Sequence, residues 1–285
     1  MPTPEIPPSF SSIEDMMPLF DYDQAASREV DLALDGVTVQ EISYASPMGG
    51  RVTGYLVTPA GEGPFAGVIF MHGAGGSRSQ FLPEAVAIAR TGAAALLVDG
   101  PAARPEPWRR EFDPSNMEEY RVVMTQAIID LRCAVDVLVS LPDVDADRIG
   151  FVGHSYGATL GGVLAGVEHR IKAYVLMASY PRFIDAVPTN LRTDEYAQAM
   201  APLDPIHYIA HAAPSALFFQ YGMYDTSIPP EIALEYLDEA SEPKQDTWYH
   251  TGHMLNTHAF YDRAAWLATQ IGLDTAVLEE RYAGE

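Results

Sequence analysis

Hydrophobic and polar residues alternate over two early segments, Val37-Thr-Val-Gln-Glu-Ile-Ser-Tyr44 and Val52-Thr-Gly-Tyr-Leu-Val-Thr58. A period of two marks strands with one buried face. The turn residues Pro47-Met-Gly-Gly50 between them predict an antiparallel hairpin. After Gly61-Glu-Gly-Pro64 the pattern changes to short apolar runs separated by helical stretches: Gly67-Val-Ile-Phe-Met71, Ala93-Ala-Ala-Leu-Leu-Val98, Arg148-Ile-Gly-Phe-Val152, Ala173-Tyr-Val-Leu-Met177 and Ser215-Ala-Leu-Phe-Phe-Gln220. Runs that are apolar on both faces belong to strands of a parallel sheet covered by helices on each side.

The longest predicted helix starts after Asp113-Pro-Ser115 and runs to about Leu141. Its apolar positions Tyr120, Met124, Ala127, Leu131, Val135 and Leu138 step by three and four along one face. Cys133 falls inside it and reads as a small packed side chain. Residues 1–36 read as a lead-in broken by prolines, with a short amphipathic stretch over 13–20. One α/β domain then spans 37–275, with a cap-like excursion at about 180–213, and residues 276–285 form a tail. No internal repeat or low-complexity tract interrupts this order.

Composition narrows the function. The 285 residues carry 17 Lys plus Arg against 39 Asp plus Glu, a formal charge of −22. Such a chain repels phosphate backbones and anionic lipid, so nucleic acid and acidic membranes are not expected partners. A hydrophobic content of 48% with 20% charged residues is globular rather than disordered. The single cysteine rules out an intrachain disulfide and a cysteine-based zinc cage. The N-terminal segment has neither a basic region nor an apolar core of the secretory type, and no apolar run reaches the ~20 residues of a membrane span. A soluble, cytoplasmic protein is the expectation, with a homo-oligomer left open.

The chemistry concentrates at Gly153-His-Ser-Tyr-Gly157, which follows one apolar run and precedes the helix-compatible stretch beginning at Ala158. A serine nucleophile on a sharp strand-to-helix turn needs small residues two before and two after it, because side chains there would meet the neighbouring strand and helix. The same pentapeptide also arises in a plain strand–turn–helix. On these residues the chain resembles the α/β-hydrolase superfamily from about residue 37 to 271, and within it the dienelactone-hydrolase-like and prolyl-oligopeptidase-like serine esterases and peptidases.

The resemblance implies an α/β-hydrolase fold: a mostly parallel central sheet flanked by helices, an N-terminal antiparallel hairpin and a small cap excursion. It also implies an acid and then a histidine downstream of Ser155. Asp225 in Tyr221-Gly-Met-Tyr-Asp225 matches the acid, with Asp185 as the fallback; His253 in His250-Thr-Gly-His253 matches the base, with His250 and His258 as competitors and Gly252 permitting close approach. His72-Gly-Ala-Gly-Gly76 sits where the family places its oxyanion loop, and the implied backbone donors are the amides of Ala74 and Tyr156, with Gly73 as the alternative to Ala74. His72 reads as a structural hydrogen-bonding residue beneath that loop.

Weaker signals remain. His207 and His211 stand at a spacing that can hold metal, but no HExxH accompanies them, so no metal is expected. Asp99-Gly-Pro101 ends a strand, yet no GxGxxG follows the first parallel strand, so no dinucleotide or other cofactor is expected. The loop 99–112 and the excursion should roof the site, and Trp108, Phe183, Tyr224 and Met254 are the candidate substrate contacts. The apolar residues of the excursion either line a pocket or pack the cap onto the body. Arg104, Arg109 and Arg110 either hold a substrate carboxylate or pair with neighbouring acids.

The expected activity is hydrolysis of small to medium carboxylic esters through a covalent acyl-serine intermediate, rising with pH between about 6 and 7.5 as a histidine base becomes neutral. The nearest alternative is an amidase or small-peptide hydrolase with the same residues. An acyltransferase or lyase on the same fold comes next, and a non-catalytic binding protein is disfavoured because every expected position is filled.

Overall fold

The computed structural model describes residues 26–34 and 36–276. The amphipathic stretch expected over 13–20 lies outside them. The backbone forms one nine-stranded sheet: β1 (Ala26–Leu34), β2 (Val37–Ala45), β3 (Arg51–Pro59), β4 (Phe65–Met71), β5 (Ala93–Val98), β6 (Val144–His154), β7 (Ile171–Met177), β8 (Ala216–Gly222) and β9 (Lys244–Tyr249), in the spatial order β1-β2-β3-β5-β4-β6-β7-β8-β9. The first three strands form an antiparallel meander, and β3 pairs antiparallel with β5. From β5 to β9 every pairing is parallel.

The strand β1 differs from the sequence reading, which extended the lead-in to residue 36. Its backbone pairs with β2 along its length, with a register shift between Arg28 and Val30. The shift leaves only Val30-Asp-Leu-Ala-Leu34 in continuous register with β2, a run too short to stand out from the lead-in.

Helices cover both faces because the parallel strands are apolar on both. All of β5 and all of β8 are buried. One face packs on α2 (Met117–Val139) and α3 (Tyr156–Val167), through Tyr120, Ala127, Leu131 and Leu160, and also on Tyr236 of α6 (Pro230–Glu239). The other packs on α1 (Leu82–Ala89) and α7 (Thr257–Ile271), through Val86, Ala264 and Leu267. The six apolar positions read along α2 are all buried, as is Cys133.

Between β7 and β8 the chain makes its excursion. Two 3-10 turns (Phe183–Ala186, Thr189–Leu191) lead into the short helix α4 (Asp194–Met200), and a third (Ala201–Leu203) leads on to the short helix α5 (Ile206–Ile209). Val187, Tyr196, Met200, Leu203 and Tyr208 all join the main core. Most of the excursion's apolar residues therefore bind the cap to the body. Tyr180 and Phe183 do more, because they also reach the cavity described below.

The position of the site follows from strand order. The chain passes from β4 to β5 on one side, then crosses back so that β6 lies on the other side of β4. The loops after β4 and β6 thus leave adjacent carboxyl ends at the point where the winding reverses, the usual ligand crevice of such sheets.

Candidate active site

Strand β6 runs into α3 with one residue between them. Ser155 occupies that position with φ 52° and ψ −111°, a backbone conformation that costs a non-glycine residue about 1–3 kcal/mol. Its amide donates to Met177 O at 2.7 Å, tying the turn to the end of β7. The flanking glycines are required by space. A Cβ at Gly157 would stand 2.3 Å from Met71 O, and one at Gly153 would stand 2.6 Å from the Gly157 carbonyl carbon.

The loop after β9 carries His253 to this turn. Its Nε2 lies 2.9 Å from Ser155 Oγ, and its Nδ1 lies 2.7 Å from Asp225 Oδ2. A carboxylate only accepts, so Nδ1 carries the ring proton and Nε2 presents its lone pair to the hydroxyl. Asp225 follows β8, and its Oδ1 accepts from the amides of Ser227 at 2.7 Å and Ile228 at 3.2 Å. Burial pushes the Asp225 carboxyl up, but the hydrogen bond from His253 and those two amides outweigh it and hold the group below its usual range.

The fallback residues lie elsewhere. Asp185 is 3.8 Å from Arg182 in the cap, His250 meets the hydroxyl of Tyr224 at 3.2 Å, and His258 is exposed on α7. The close approach expected at Gly252 occurs one loop away. A Cβ at Gly222 would stand 2.4 Å from Gly252 O, whereas one at Gly252 would have nothing nearer than 4.0 Å. The residue that must be small is the one ending β8, because the histidine loop crosses over it.

The loop after β4 is held from below by His72. Gly100 N donates to His72 Nε2 at 2.9 Å, so the proton sits on Nδ1, which donates to Gly73 O at 2.7 Å. Burial lowers the basicity of His72, consistent with a neutral ring. Gly76 N also donates to Gly73 O at 3.0 Å. In a trans peptide the carbonyl and the next amide point in opposite directions. Anchoring Gly73 O inward therefore turns the Ala74 amide outward, over the cavity. The Gly73 amide is engaged already, by Gln80 Oε1 at 3.0 Å. Tyr156 contributes the first amide of α3, which has no partner within its helix.

These elements face a cavity of about 730 Å³, lined by Ser155, His253, the 73–77 loop and the aromatic residues Phe112, Tyr120, Tyr180 and Phe183. That volume suits a small organic molecule. Of the expected substrate contacts, Phe183 and Met254 are on the lining. Trp108 instead packs over the hairpin turn at Gly50, 3.3 Å from where its Cβ would be, and Tyr224 stands beside His250 at the surface. Sequence reasoning assigned Tyr120 to the core face of α2 and did not single out Gln80 or Thr159 at all. Tyr120 does pack in the core, but at the first turn of α2 it also borders the cavity.

Among the described residues no group of three or more His, Cys, Asp or Glu side chains is arranged to hold a metal ion, His207 and His211 included. No helix among them is long and apolar enough to cross a membrane.

Comparison with known proteins agrees with this architecture. A probable 2-oxo-3-(5-oxofuran-2-ylidene)propanoate lactonase of Bradyrhizobium sp. is 25% identical over 237 residues, 80% of this chain and 88% of its own. The acetyl esterase Axe7A of Xylanibacter ruminicola is 25% identical over 154 residues, 48% of this chain; the match spans only 34% of the length of Axe7A. The acetyl xylan esterase from Paenibacillus sp. R4 superposes with a TM-score of 0.76 at 19% identity, over 90% of this chain and 92% of its own. Residues 68–277 match the alpha/beta hydrolase family, which is most of the chain, and the chain belongs to that family.

Proposed function

We propose that this protein is a serine hydrolase that cleaves carboxylic esters of small to medium acyl chain through a covalent acyl-enzyme. The observation that carries the reading is the hydrogen-bonded series Ser155 Oγ, His253, Asp225 at the wall of the cavity. His253 Nε2 takes the hydroxyl proton as Ser155 Oγ attacks the ester carbonyl, and Asp225 holds the ring in the right tautomer and stabilises the imidazolium that forms. The developing oxyanion faces the amides of Ala74 and Tyr156; losing one such donor costs about 3 kcal/mol of transition-state stabilisation. His253 then protonates the leaving alcohol. Water, activated by the same nitrogen, attacks the acyl-serine and releases the acid.

The apolar lining and the cavity volume support a small, uncharged leaving group. A lactone is a cyclic ester that the same steps would open, and the lactonase that matches 80% of this chain makes lactones a natural second substrate set.

The test is hydrolysis of p-nitrophenyl esters of increasing acyl length beside Ser155→Ala. Turnover that favours short chains and disappears in the variant is expected. Failure of the wild type on every ester would replace this reading by amide or transfer chemistry, and equal turnover by the variant would remove Ser155 from the mechanism.

A further inference from the structure

The cavity beside Ser155 adjoins a second chamber of about 450 Å³. Ala74, Gly75, Gly76, Ser77, Phe112 and Tyr156 border both. The larger chamber contains Ser155 and His253, whereas the smaller contains neither. These six residues therefore form the boundary between the space that holds the reacting groups and a space more than half as large. Four of the six contribute little beyond backbone, so the bulk at the boundary comes from the rings of Phe112 and Tyr156.

The two rings are not equivalent. Tyr156 is buried at the start of α3 and follows Ser155 directly, so any shift of it disturbs the serine turn. Phe112 comes from the loop between β5 and α2 and is only partly buried. It can change without displacing Ser155 or His253. Its ring is nonetheless fixed. It stands edge-on to Tyr156, with ring centres 5.4 Å apart and planes at 88°, and edge-on to Tyr120 at 5.2 Å and 74°, the geometry that aromatic pairs favour. Two residues earlier, Arg110 ties the loop to α2 by donating to Gln126 and, at 3.0 Å, to Glu119. Gln126 in turn donates to Ser46 Oγ at 3.0 Å and to Gly49 O at 3.2 Å in the β2–β3 turn. Arg110 thus follows the ion-pair reading of the sequence, and the pair steadies the loop that carries the ring.

We propose that Phe112 is a specificity-determining residue, whose ring closes the passage between the two chambers and so limits the length of chain that a substrate can carry. This inference rests on the ester-hydrolase reading above. A chain that outgrows the larger chamber meets the ring. With the ring removed, the same chain gains the space of the smaller chamber, which Ala102 and Ala103 help to wall. Each methylene buried there should raise kcat/KM about fourfold.

The experiment compares the wild type, Phe112→Ala, Phe112→Leu and Phe112→Trp on two series. The p-nitrophenyl esters from acetate to decanoate lengthen the acyl part, and the alkyl acetates from ethyl to decyl lengthen the alcohol part. The readout is the ratio of kcat/KM for long members to that for short ones, which the amount of folded enzyme does not alter. In Phe112→Ala the ratio should rise about tenfold or more in the series whose growing chain meets the ring, the gain of two buried methylenes. Phe112→Leu, which keeps an apolar side chain against Tyr120, should show a smaller rise in the same series. Phe112→Trp keeps a ring at the boundary and should leave the ratio at or below the wild-type value. Ratios unmoved in both series by Phe112→Ala and Phe112→Leu, or an equal rise in Phe112→Trp, overturn the inference while leaving the esterase reading in place. Failure of the wild type on every member of both series brings down both.

Discussion

The imidazole Nε2 of His154 donates to the backbone oxygen of His253 across 2.9 Å. A carbonyl only accepts, so the other ring nitrogen, Nδ1, is left to accept from Gln80 Nε2 at 3.4 Å. Gln80 Oε1 in turn takes the Gly73 amide. The residue before the serine thus joins the loop that carries His253 to the loop of residues 73–76. Burial, which lowers the basicity of His154, suits this neutral, two-sided role.

Replacing His154 by Phe keeps the bulk and removes both hydrogen bonds. The His253 loop then loses one anchor, and, on the proposed serine-hydrolase reading, kcat should fall roughly ten- to a hundredfold with a smaller change in KM, since misplacement of about 1 Å carries a cost of that order. Steady-state kinetics at saturating substrate checks it; an unchanged kcat would show that His253 is held by other contacts.

Asp225→Asn tests the tautomer argument. An asparagine oxygen can still accept from Ser227 and Ile228, so the turn should survive, but His253 loses its carboxylate partner. The expected loss in kcat is about 10⁴-fold. Because the native Asp225 carboxyl lies below its usual range, it binds protons less readily when folded than when unfolded. Its contribution to stability is present above about pH 4 and is lost as pH falls through the folded value. Thermal melts of the wild type should therefore decline more steeply below pH 4 than those of the variant, and parallel profiles would contradict this.

Asp204 has the opposite sign. Its Oδ1 accepts from the Phe183 amide at 2.8 Å within the cap, and burial pushes its carboxyl up to about 6. Arg182 lowers it and Asp185 raises it further, both by smaller amounts than burial. The folded protein holds this proton more tightly than the unfolded chain, so stability falls as pH rises from about 4 to about 6 and then levels. Asp204→Asn keeps an acceptor for Phe183 without the charge. Its melting temperature should match the wild type near pH 4 and exceed it by about 2–4 °C at pH 7. A difference that does not vary with pH would remove Asp204 from the account.

Gly157→Ala places a methyl carbon 2.3 Å from Met71 O, where the obstacle is backbone rather than a movable side chain. Overpacking at such a point costs about 1–3 kcal/mol or more. Melting temperature and labelling of Ser155 by a fluorophosphonate should both fall. Full labelling at wild-type stability would mean that the turn has more room than its geometry indicates.

How much of this was legible before folding depended on how local each signal was. The parallel strands announced themselves because each is apolar on both faces, as at Ala93–Val98. The turn at Ser155 was legible because its glycines answer to steric limits within a few residues and one neighbouring strand. Asp225 and His253, which stand in hydrogen-bonded sequence with Ser155, were singled out by chain order after the serine turn. Trp108 and Tyr224 looked like substrate contacts from their loops, but the direction of a side chain on a loop depends on what it packs against. Gly50 and His250 took those two rings. Strand β1 was lost in a segment whose pairing is interrupted between Arg28 and Val30.

The sequence by itself determined the alternation of strands and helices, the serine turn, and the supply of a serine, an acid and a histidine in that order along the chain. These are consequences of spacing and side-chain chemistry, which a chain carries wherever it goes. Tertiary structure decided the rest. It brought His253 to within 2.9 Å of a serine 98 positions earlier. It anchored Gly73 O so that Ala74, and not Gly73, turns its amide to the cavity. It paired Arg104 with Asp130 and Arg110 with Glu119. Each of these depends on which distant atoms become neighbours, and the order of the strands in the sheet sets which loops meet.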